Sequence, residues 1–288
     1  MKVSIICPLY NAEKYIKELY NNIYRQENIE IESLEFILTE SSDLTENMLQ
    51  EIGANYNKIS KAEFSHSLIR EKAAFLANGE IIVFITQDIK IIGKDWLANL
   101  ISGIVSGECE ASFSRQIGYE NHGLERYIRE VNYPKESRVV TKDDVEELGI
   151  MSFFFSDTSS AIKKSIFESL NGYDGKKLPT NEDMYFAYKL IMNGYRIKYE
   201  AESKVIHSHE FSLKQVYSRY KDIGKFFAQN SYLDKYKATK KGKGVLKYVI
   251  KRAIEDKNYT IIFDLVTNFA TRLVGVQVGK RKKVLKMP

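Results

Sequence analysis

Short apolar runs alternate with amphipathic segments through the amino-terminal half of the chain. Continuous apolar runs of strand length, which are typical of strands buried on both faces of a sheet, occur at 3–7, 34–38 and 81–85. Segments with apolar residues at helical spacing occur at 12–25, 67–78 and 95–105, and Gly79 follows the second of these as a stop signal. This alternation predicts an α/β fold with a mostly parallel central sheet flanked by helices.

The carboxyl-terminal half continues the pattern and then changes character. The spacing predicts a helix over 182–193 that is closed by Gly194, short strands over 196–199 and 204–207, and a helix over 213–229. Between 111 and 162 the pattern is irregular, and the aromatic run at 153–155 is better explained as core than as a sugar platform. Beyond about residue 235, two amphipathic helices are predicted. We therefore predict a main domain over 1–230 and a basic, helical carboxyl-terminal appendage over 231–288.

Charge divides the chain into an acidic body and a basic end. Residues 236–288 contain 14 Lys and Arg against 3 Asp and Glu, whereas the remainder contains 29 against 35. Basic amphipathic helices either lie on anionic membranes or pack their apolar faces on protein, here the body or a second copy of the chain in a homo-oligomer, and the sequence favours neither. Nucleic acid is not an expected partner, because no nucleic-acid-binding motif is present.

Cysteine usage and hydropathy indicate a cytoplasmic protein, or one that is peripheral at the inner face of the plasma membrane. The two cysteines, Cys7 and Cys109, are too few for a disulfide framework, and Cys7 lies in an apolar run. No signal peptide is visible at the amino terminus. No stretch approaches the ~20 apolar residues that a membrane-spanning helix needs.

Polar side chains follow two of the predicted strands. The first strand leads into Pro8, Tyr10 and Asn11, and the strand at 81–85 leads into Gln87 and Asp88. Ligands of open α/β sheets bind at the carboxyl ends of strands, where a carboxylate can hold Mg²⁺ or Mn²⁺ against phosphates. Helix capping by Asn11 and a turn role for Asp88 are the competing explanations.

Two further polar groups occur in the second half. Glu182 and Asp183 open a predicted helix. The helix dipole alone favours acidic residues there, but a carboxylate at this position can also take a proton from an acceptor hydroxyl. His207 and His209 follow a predicted strand and are two of only four histidines, which favours contact with a metal or a phosphate.

Taken in chain order, these groups resemble a known enzyme family. Pro-Leu-Tyr-Asn after the first strand, an acidic loop at Glu40, Thr-Gln-Asp after a buried strand, Asn-Glu-Asp at a helix start and His-Ser-His after a strand are similar to the pattern of inverting family-two glycosyltransferases with the type-A fold. The resemblance spans roughly residues 2–224. Four shorter motifs resemble, more narrowly, those of bacterial rhamnosyltransferases of surface polysaccharide biosynthesis. These motifs are Phe-Ser-His at 64–66 with Arg70, Phe-Ile-Thr-Gln-Asp at 84–88, Asn-Tyr-Pro at 132–134 and Val-Ile-His-Ser-His at 205–209.

The resemblance implies a role for each of these residues. Asp183 would be the catalytic base, with Glu182 as its neighbour. Asp88 would ligate a divalent metal, Mg²⁺ or Mn²⁺, together with His207 or His209. The nucleotide sugar would be bound by Pro8, Tyr10, Asn11, Glu40, Arg70, Gln87 and Asp88.

The chain departs from the family pattern at two places. The acidic segment after the second strand reads Leu-Thr-Glu-Ser-Ser-Asp, so either Glu40 or Asp43 would face the nucleobase. The usual two-carboxylate metal motif is reduced to Asp88 alone. This loss predicts a weaker metal site and leaves the metal dependence open.

The activity that the resemblance implies is transfer of rhamnose from dTDP-rhamnose, with inversion, to a growing cell-surface polysaccharide or a lipid-linked acceptor. Residues 1–230 would then be a nucleotide-sugar-binding catalytic domain. The alternatives are a glycosyltransferase of the same fold that uses a UDP-hexose, and a scaffold that binds a nucleotide sugar without catalysis. Dinucleotide oxidoreductases and P-loop enzymes are disfavoured because their glycine-rich motifs are absent.

Overall fold

One nine-stranded mixed sheet forms the centre of the described part of the chain. The computed structural model describes residues 1–121, 123–236 and 241–281, and only the backbone of 241–243. The strands are β1 (Val3–Leu9), β2 (Ile31–Thr39), β3 (Tyr56–Ile59), β4 (Ile81–Ile85), β5 (Lys90–Ile91), β6 (Ala111–Ile117), β7 (Arg138–Val140), β8 (Ser159–Lys163) and β9 (Ile197–Ile206). The helices are α1 (Ile16–Tyr24), α2 (Thr45–Glu51), α3 (His66–Leu76), α4 (Trp96–Val105), α5 (Gly123–Asn132), α6 (Val145–Leu148), α7 (Lys164–Ser169), α8 (Glu182–Met192), α9 (Leu213–Gln229), α10 (Lys241–Glu255) and α11 (Thr260–Arg281).

Strand direction brings the loops of both halves to one edge of the sheet. The order is β3-β2-β1-β4-β8-β6-β9-β5, and β7 pairs with β9. Strands β1 to β4 are mutually parallel, β8 is antiparallel to both β4 and β6, and β9 is parallel to β6. The carboxyl ends of β1, β2, β4, β6 and β9 and the amino end of β8 therefore meet at the same edge. Ligands of α/β sheets bind at such an edge.

Helices cover both faces of the sheet, as the continuous apolar runs predict. Ile5 and Leu9 of β1 belong to a buried cluster shared with α1 and α4. Ile6 and Phe84 belong to a second cluster, shared with α3 and α8. Because alternate residues of a strand point to opposite faces, a strand covered on both sides must be apolar throughout. The α/β fold with a sheet between helices is therefore confirmed.

Buried serines explain why the sequence pattern did not predict β6 and β8. Ser114 of β6 and Ser159 of β8 are fully buried and lie 2.6 Å apart, Oγ to Oγ. The indole N–H of Trp96 donates to both hydroxyls at 3.2 Å. Hydrogen bonding among these groups allows polar residues to occupy the core. A pattern that counts serine as exposed therefore hides two central strands.

The two short strands predicted at 196–199 and 204–207 are one strand, β9. Its pairing with β6 skips residues, since Ser114 pairs with Glu200 but Arg115 pairs with Lys204. A register shift of this kind is a bulge, which bends the strand and re-aims the residues that follow. The aromatic run at 153–155 is largely core, because Phe153 and Phe155 are buried.

The carboxyl-terminal helices pack on the body of the protein. Helix α11 lies along α9, where Gly224 of α9 meets Val276 and Gly279 of α11 so closely that neither glycine has room for a side chain. Helices α10 and α11 also share an apolar cluster with α5, formed by Leu124, Tyr127, Ile128, Val249, Ala253, Ile261 and Leu265. The division at residue 230 stays a prediction, and residues 237–240 and 282–288 of the predicted appendage lie outside the described residues.

Helix α11 also corrects one expectation about hydropathy. By length and composition alone it passes as a membrane-spanning helix, with 22 residues from Thr260 to Arg281. In the sequence, scattered polar residues interrupt its apolar run and hide it. A single helix of this kind is weak support for a membrane span, since helices of soluble proteins meet the same criterion.

Candidate active site

The loops that follow β1, β2 and β4 are joined by side-chain hydrogen bonds. Gln87 Nε2 donates to the Tyr10 carbonyl at 2.9 Å, and the Tyr10 N–H donates to Gln87 Oε1 at 2.7 Å. Asn11 adopts a left-handed conformation, with φ of 47°, and its Oδ1 accepts from the Ser42 N–H at 3.0 Å. The exposed Tyr10 ring lies 5.4 Å from Lys61 Nζ. Tyr10, Asn11 and Gln87 thus form one rim, and Pro8 is buried behind them in β1.

The two candidates for the nucleobase contact occupy different settings. Asp43 Oδ1 accepts from the Thr45 hydroxyl at 2.6 Å, and its Oδ2 accepts from the Glu13 N–H at 3.1 Å. Burial raises the pKa of Asp43, but these hydrogen bonds lower it by more, so the net pKa is below the ordinary value. The carboxylate therefore already has partners within the loop. Glu40 is exposed at the end of β2. The geometry therefore favours Glu40 over Asp43 as a ligand-binding group.

Asp88, His207 and His209 form one cluster at the carboxyl ends of β4 and β9. His209 Nε2 lies 3.2 Å from Asp88 Oδ2, and His207 Nε2 lies 3.6 Å from Asp88 Oδ1. The two Nε2 atoms are 3.1 Å apart. One ligand atom from each of the three residues lies within 4.8 Å of the others. Both histidines, rather than one of them, therefore reach the carboxylate.

Gln116 fixes the orientation of His207. Its Oε1 lies 3.1 Å from His207 Nδ1 and also accepts a hydrogen bond from Arg129 Nη1. Because a carbonyl oxygen can only accept, the proton of the imidazole must be on Nδ1. The lone pair of Nε2 then faces Asp88. Outer contacts of this kind are usual for histidines that ligate metals.

The two imidazoles are held in their neutral form. Burial lowers the pKa of His207 well below its ordinary value, and the positive charges of Arg129 and Arg219 lower it further. Burial also lowers the pKa of His209, although the charge of Asp88 opposes this. A histidine must be neutral to ligate a metal. With two imidazole nitrogens and one carboxylate aimed at one point, the residues fit a divalent cation.

The second acidic site opens helix α8. Asn181, in a left-handed conformation with φ of 58°, precedes the helix, and backbone conformations of this kind concentrate at functional sites. Glu182 is buried and accepts a hydrogen bond from Arg70 Nη1 at 2.9 Å. Arg70, which the resemblance assigns to the nucleotide, is only 2% exposed and lies against this carboxylate. Asp183 follows, with its Oδ1 accepting from the Met184 N–H at 2.7 Å.

Asp183 carries a strongly perturbed carboxyl group. Burial raises the pKa of Asp183 well above its ordinary value, and the negative charges of Glu182 and Asp157 raise it further, against the opposing charge of Arg70. A carboxylate with a raised pKa binds a proton more tightly than an exposed one. It is therefore better suited to accept the proton of an alcohol.

Asp157 is a buried carboxylate that the sequence pattern did not indicate. Its Oδ2 accepts from the Tyr173 hydroxyl and its Oδ1 from the Ser160 hydroxyl, both at 2.7 Å. Asp157 comes just before β8, whose amino end lies at the ligand-binding edge because this strand is antiparallel. Ligand-binding residues are expected after parallel strands, whereas Asp157 precedes its strand. The only sign of it in the sequence is an acidic residue within the irregular stretch 111–162.

A connected set of side chains runs from the Asp88 cluster towards the second acidic site. Gln116, which supports His207, donates from Nε2 to Ser156 Oγ at 2.9 Å. Tyr133 also contacts Ser156. Burial raises the pKa of the Tyr133 hydroxyl, and the negative charge of Asp183 raises it further. Side-chain contacts therefore run from the Asp88 cluster to Tyr133, and Asp183 at the start of α8 is close enough for its charge to act on Tyr133.

Comparison with known sequences agrees with this arrangement. The family described as "Glycosyl transferase family 2" matches residues 4–170. The chain is 30% identical to the O-antigen chain rhamnosyltransferase WbaN of Salmonella anatum, over 96% of this chain and 89% of that protein. It is also 30% identical to the O-antigen chain rhamnosyltransferase RfbN of Salmonella typhimurium, over 97% of this chain and 90% of that protein.

Solved structures show the same fold at lower identity. The crystal structure of residues 1–349 of Staphylococcus aureus TarS superposes with a TM-score of 0.58 at 17% identity, covering 100% of this chain and 92% of that one. A mannosyltransferase from Pyrobaculum calidifontis, in complex with GDP-Man and Mn²⁺, superposes with a TM-score of 0.58 at 18% identity, covering 93% of this chain and 73% of that one. At these identities the likeness concerns the fold alone.

Proposed function

Because the chain belongs to glycosyltransferase family 2, we propose that it transfers rhamnose from dTDP-rhamnose to a growing cell-surface polysaccharide or its lipid-linked precursor. The glycosyltransferase assignment follows from the family. The sugar and the acceptor are proposed because two O-antigen rhamnosyltransferases match along almost the whole chain. The observation that carries the chemistry is the half-buried Asp183 with its raised pKa, at the same edge of the sheet as the Asp88 cluster.

The proposed reaction is a single displacement. The acceptor hydroxyl attacks the anomeric carbon of the donor as the bond between that carbon and the diphosphate oxygen breaks, so the configuration inverts. Asp183 accepts the hydroxyl proton, and the nucleoside diphosphate leaves with the bonding electrons. A positioned base contributes about 10²–10⁴ in rate. Arg70 holds Glu182 in place beside this base, and we assign it that positioning role in preference to contact with the nucleotide.

The proposed cofactor is a divalent metal held by Asp88, His207 and His209. When bound, it would supply positive charge against the leaving diphosphate. Imidazole nitrogens suit transition-metal ions, whereas Mg²⁺ prefers oxygen ligands. Of the two metals considered, Mn²⁺ is therefore the better match for this set of side chains. Gln116 keeps His207 in the tautomer that the role requires.

The nucleoside end of the donor is proposed to bind at the rim formed by Tyr10, Asn11 and Gln87. The exposed Tyr10 ring offers a face for stacking on a base. Glu40 lies exposed at the end of the adjacent strand and would accept a hydrogen bond from the base. The parallel order of β2, β1 and β4, which brings these residues to one edge, supports this proposal.

An anionic membrane is the proposed surface partner, with the chain peripheral on its cytoplasmic face. On α11 the side opposite the body presents four exposed apolar residues at helical spacing: Phe263, Val266, Leu273 and Val274. The sequence continues from this helix with five basic residues and no acidic one between 280 and 286. An apolar stripe beside a cluster of positive charge is the combination that binds anionic lipid. Such binding would keep the enzyme close to a lipid-linked acceptor.

A donor panel tests the proposed function. The purified protein would be incubated with Mn²⁺ and with dTDP-rhamnose, UDP-glucose or UDP-N-acetylglucosamine, and its thermal stability would be measured. A ligand that binds the native state raises the apparent Tm. We expect selective stabilisation by dTDP-rhamnose. Selective stabilisation by a UDP-sugar would support the UDP-hexose alternative, and donor binding without transfer to any glycan acceptor would support the scaffold alternative.

A further inference from the structure

Two arginines outside the predicted site face the Asp88 cluster from two different helices. Arg129 of α5 reaches it through Gln116, whose Oε1 accepts from Arg129 and lies 3.1 Å from His207 Nδ1. Arg219 of α9 reaches it through Phe211. The Arg219 guanidinium carbon is 4.7 Å from the Phe211 ring centroid, and that ring is 5.0 Å from the His209 ring. One guanidinium therefore lies near His207 and the other near His209.

These two guanidiniums differ from their neighbours in how their charge is used. Arg126, one turn before Arg129 on α5, forms a salt bridge with Glu130 at 3.4 Å. Arg272 of α11 forms one with Glu125 at 3.0 Å. Within the described ranges, neither Arg129 nor Arg219 is paired with a carboxylate. Their charge is left for a ligand, and Arg219 is exposed to solvent.

The helices that carry the two arginines are braced by α11. The close approach of Gly224 and Gly279 fixes α9 on α11. The salt bridge from Arg272 to Glu125 ties α5 to the same helix, and the Arg272 guanidinium also lies 4.9 Å from the Tyr220 ring of α9. Groups that bind a reacting ligand need rigid support of this kind to keep their geometry.

Charge balance indicates what these groups would bind. A divalent cation beside the single carboxylate Asp88 leaves one net positive charge, whereas a departing nucleoside diphosphate carries about three negative charges. The family motif usually supplies a second carboxylate, which is absent here, so the site is already more positive. Two guanidiniums supply the remaining two positive charges and complete the neutralisation. Arginine suits this role, because its planar group donates two parallel hydrogen bonds to a phosphate.

We propose that Arg129 and Arg219 bind the phosphates of the donor's leaving diphosphate, beside the metal site. This inference rests on the proposed function, since it assumes a nucleoside diphosphate donor. It assigns binding residues to α5 and α9, which no strand-end or acidic motif in the sequence indicated. It also gives α11 a second purpose, because this helix holds both arginines in position.

The test compares ligands that differ by one phosphate. Binding of dTDP, dTMP, UDP and UMP would be measured by calorimetry with Mn²⁺, for the wild type and for Arg219→Ala, Arg219→Lys and Arg129→Ala. The matched controls are Arg126→Ala on α5 and Lys214→Ala on α9, each of which removes a positive charge from the same helix. Mn²⁺ binding in the absence of nucleotide would be measured for every variant.

We expect each alanine variant to lose about ten- to hundredfold in affinity for the preferred diphosphate, which is the usual effect of removing a charged hydrogen bond. Affinity for the matching monophosphate should change much less, Arg219→Lys should recover part of the loss, and Arg219→Ala should bind Mn²⁺ like the wild type. Equal losses for the mono- and diphosphate, or unchanged diphosphate affinity in both alanine variants, would overturn the inference. A wild-type protein that binds neither dTDP nor UDP would contradict the proposed function itself.

Discussion

At the residue scale, the site depends on side chains whose neighbours set their protonation state. His207 is kept neutral by burial and by nearby guanidiniums, with its proton placed on Nδ1 by Gln116. Asp183 is pushed in the opposite direction, because burial and two negative neighbours make its carboxyl group hold a proton more tightly. These protonation states suit the proposed roles, a neutral metal ligand for His207 and a base for Asp183.

The raised pKa of Asp183 predicts the pH dependence of the reaction. Only the carboxylate accepts a proton, so activity must fall as the pH drops through this pKa. Because the pKa is raised, the acidic fall in kcat/KM should lie above the pH of about 4 expected for an ordinary Asp. Glu182→Gln removes a negative neighbour, so it should move this fall to lower pH.

The control for this profile is Glu202→Gln, at an exposed carboxylate that pairs with Lys204 on β9. It should leave the profile unchanged. The measurement is initial transfer rate against pH at limiting donor concentration. An acidic fall that stays in place in Glu182→Gln would argue against Asp183 as the titrating base.

Gln116 provides a second prediction at this scale. Gln116→Leu removes the acceptor that orients His207, so we expect Mn²⁺ affinity to fall about ten- to hundredfold, the usual cost of losing an outer contact to a ligand. Titration calorimetry with Mn²⁺ measures this. Gln50→Leu, at a glutamine on α2 that contacts Tyr56, is the matched control. If Gln116→Leu binds Mn²⁺ with the affinity of the wild type, Gln116 does not orient His207 for the metal.

At the scale of elements, the sequence predicted those segments whose pattern matches their burial. The strand Ile81–Ile85 and the helix Leu213–Gln229 were predicted with the bounds that the structure has. Strands β6 and β8 were missed because buried serines give them a polar pattern, and Asp157 was missed with them. The sequence predicted Asp88 together with His207 or His209, but it could not show that both imidazoles lie within reach of the carboxylate.

The packing of α11 on α9 can be tested by one added side chain. A Cβ at Gly275 would lie 2.9 Å from the Tyr217 carbonyl oxygen, too close for any real contact. Gly275→Val should therefore separate the two helices and destabilise the protein by about 1–3 kcal/mol, with a fall in Tm of several degrees. Gly244→Val on α10 is the control, since nothing lies within 4 Å of its added Cβ. Equal melting temperatures for both variants would contradict this packing.

At the scale of the whole molecule, the basic end of the chain has two distinct faces. One face of α11 packs on α9, α5 and α10, and the other presents exposed apolar residues. Of the alternatives that the sequence left for the tail, packing on the body describes the buried face, and membrane contact stays a proposal. The exposed face is the one proposed to meet a membrane.

Vesicle flotation tests the membrane contact. The protein should float with vesicles that contain phosphatidylglycerol at low salt and should be released at high salt, because charge and apolar area act together. The double variant Phe263→Ser and Leu273→Ser should stay unbound, whereas Leu44→Ser, at an equally exposed site before α2, should still float. If the wild type does not float but forms a dimer that the double variant abolishes, a second copy covers this face instead.

The most direct test of the central claim is the rate of rhamnose transfer by Asp183→Asn. With dTDP-rhamnose, Mn²⁺ and a lipid-linked glycan acceptor, transfer should fall by about 10²–10⁴ relative to the wild type, while dTDP binding and Tm stay close to wild-type values. Transfer by Asp183→Asn at a rate near that of the wild type would contradict the account, because the proton of the acceptor would then have to go elsewhere.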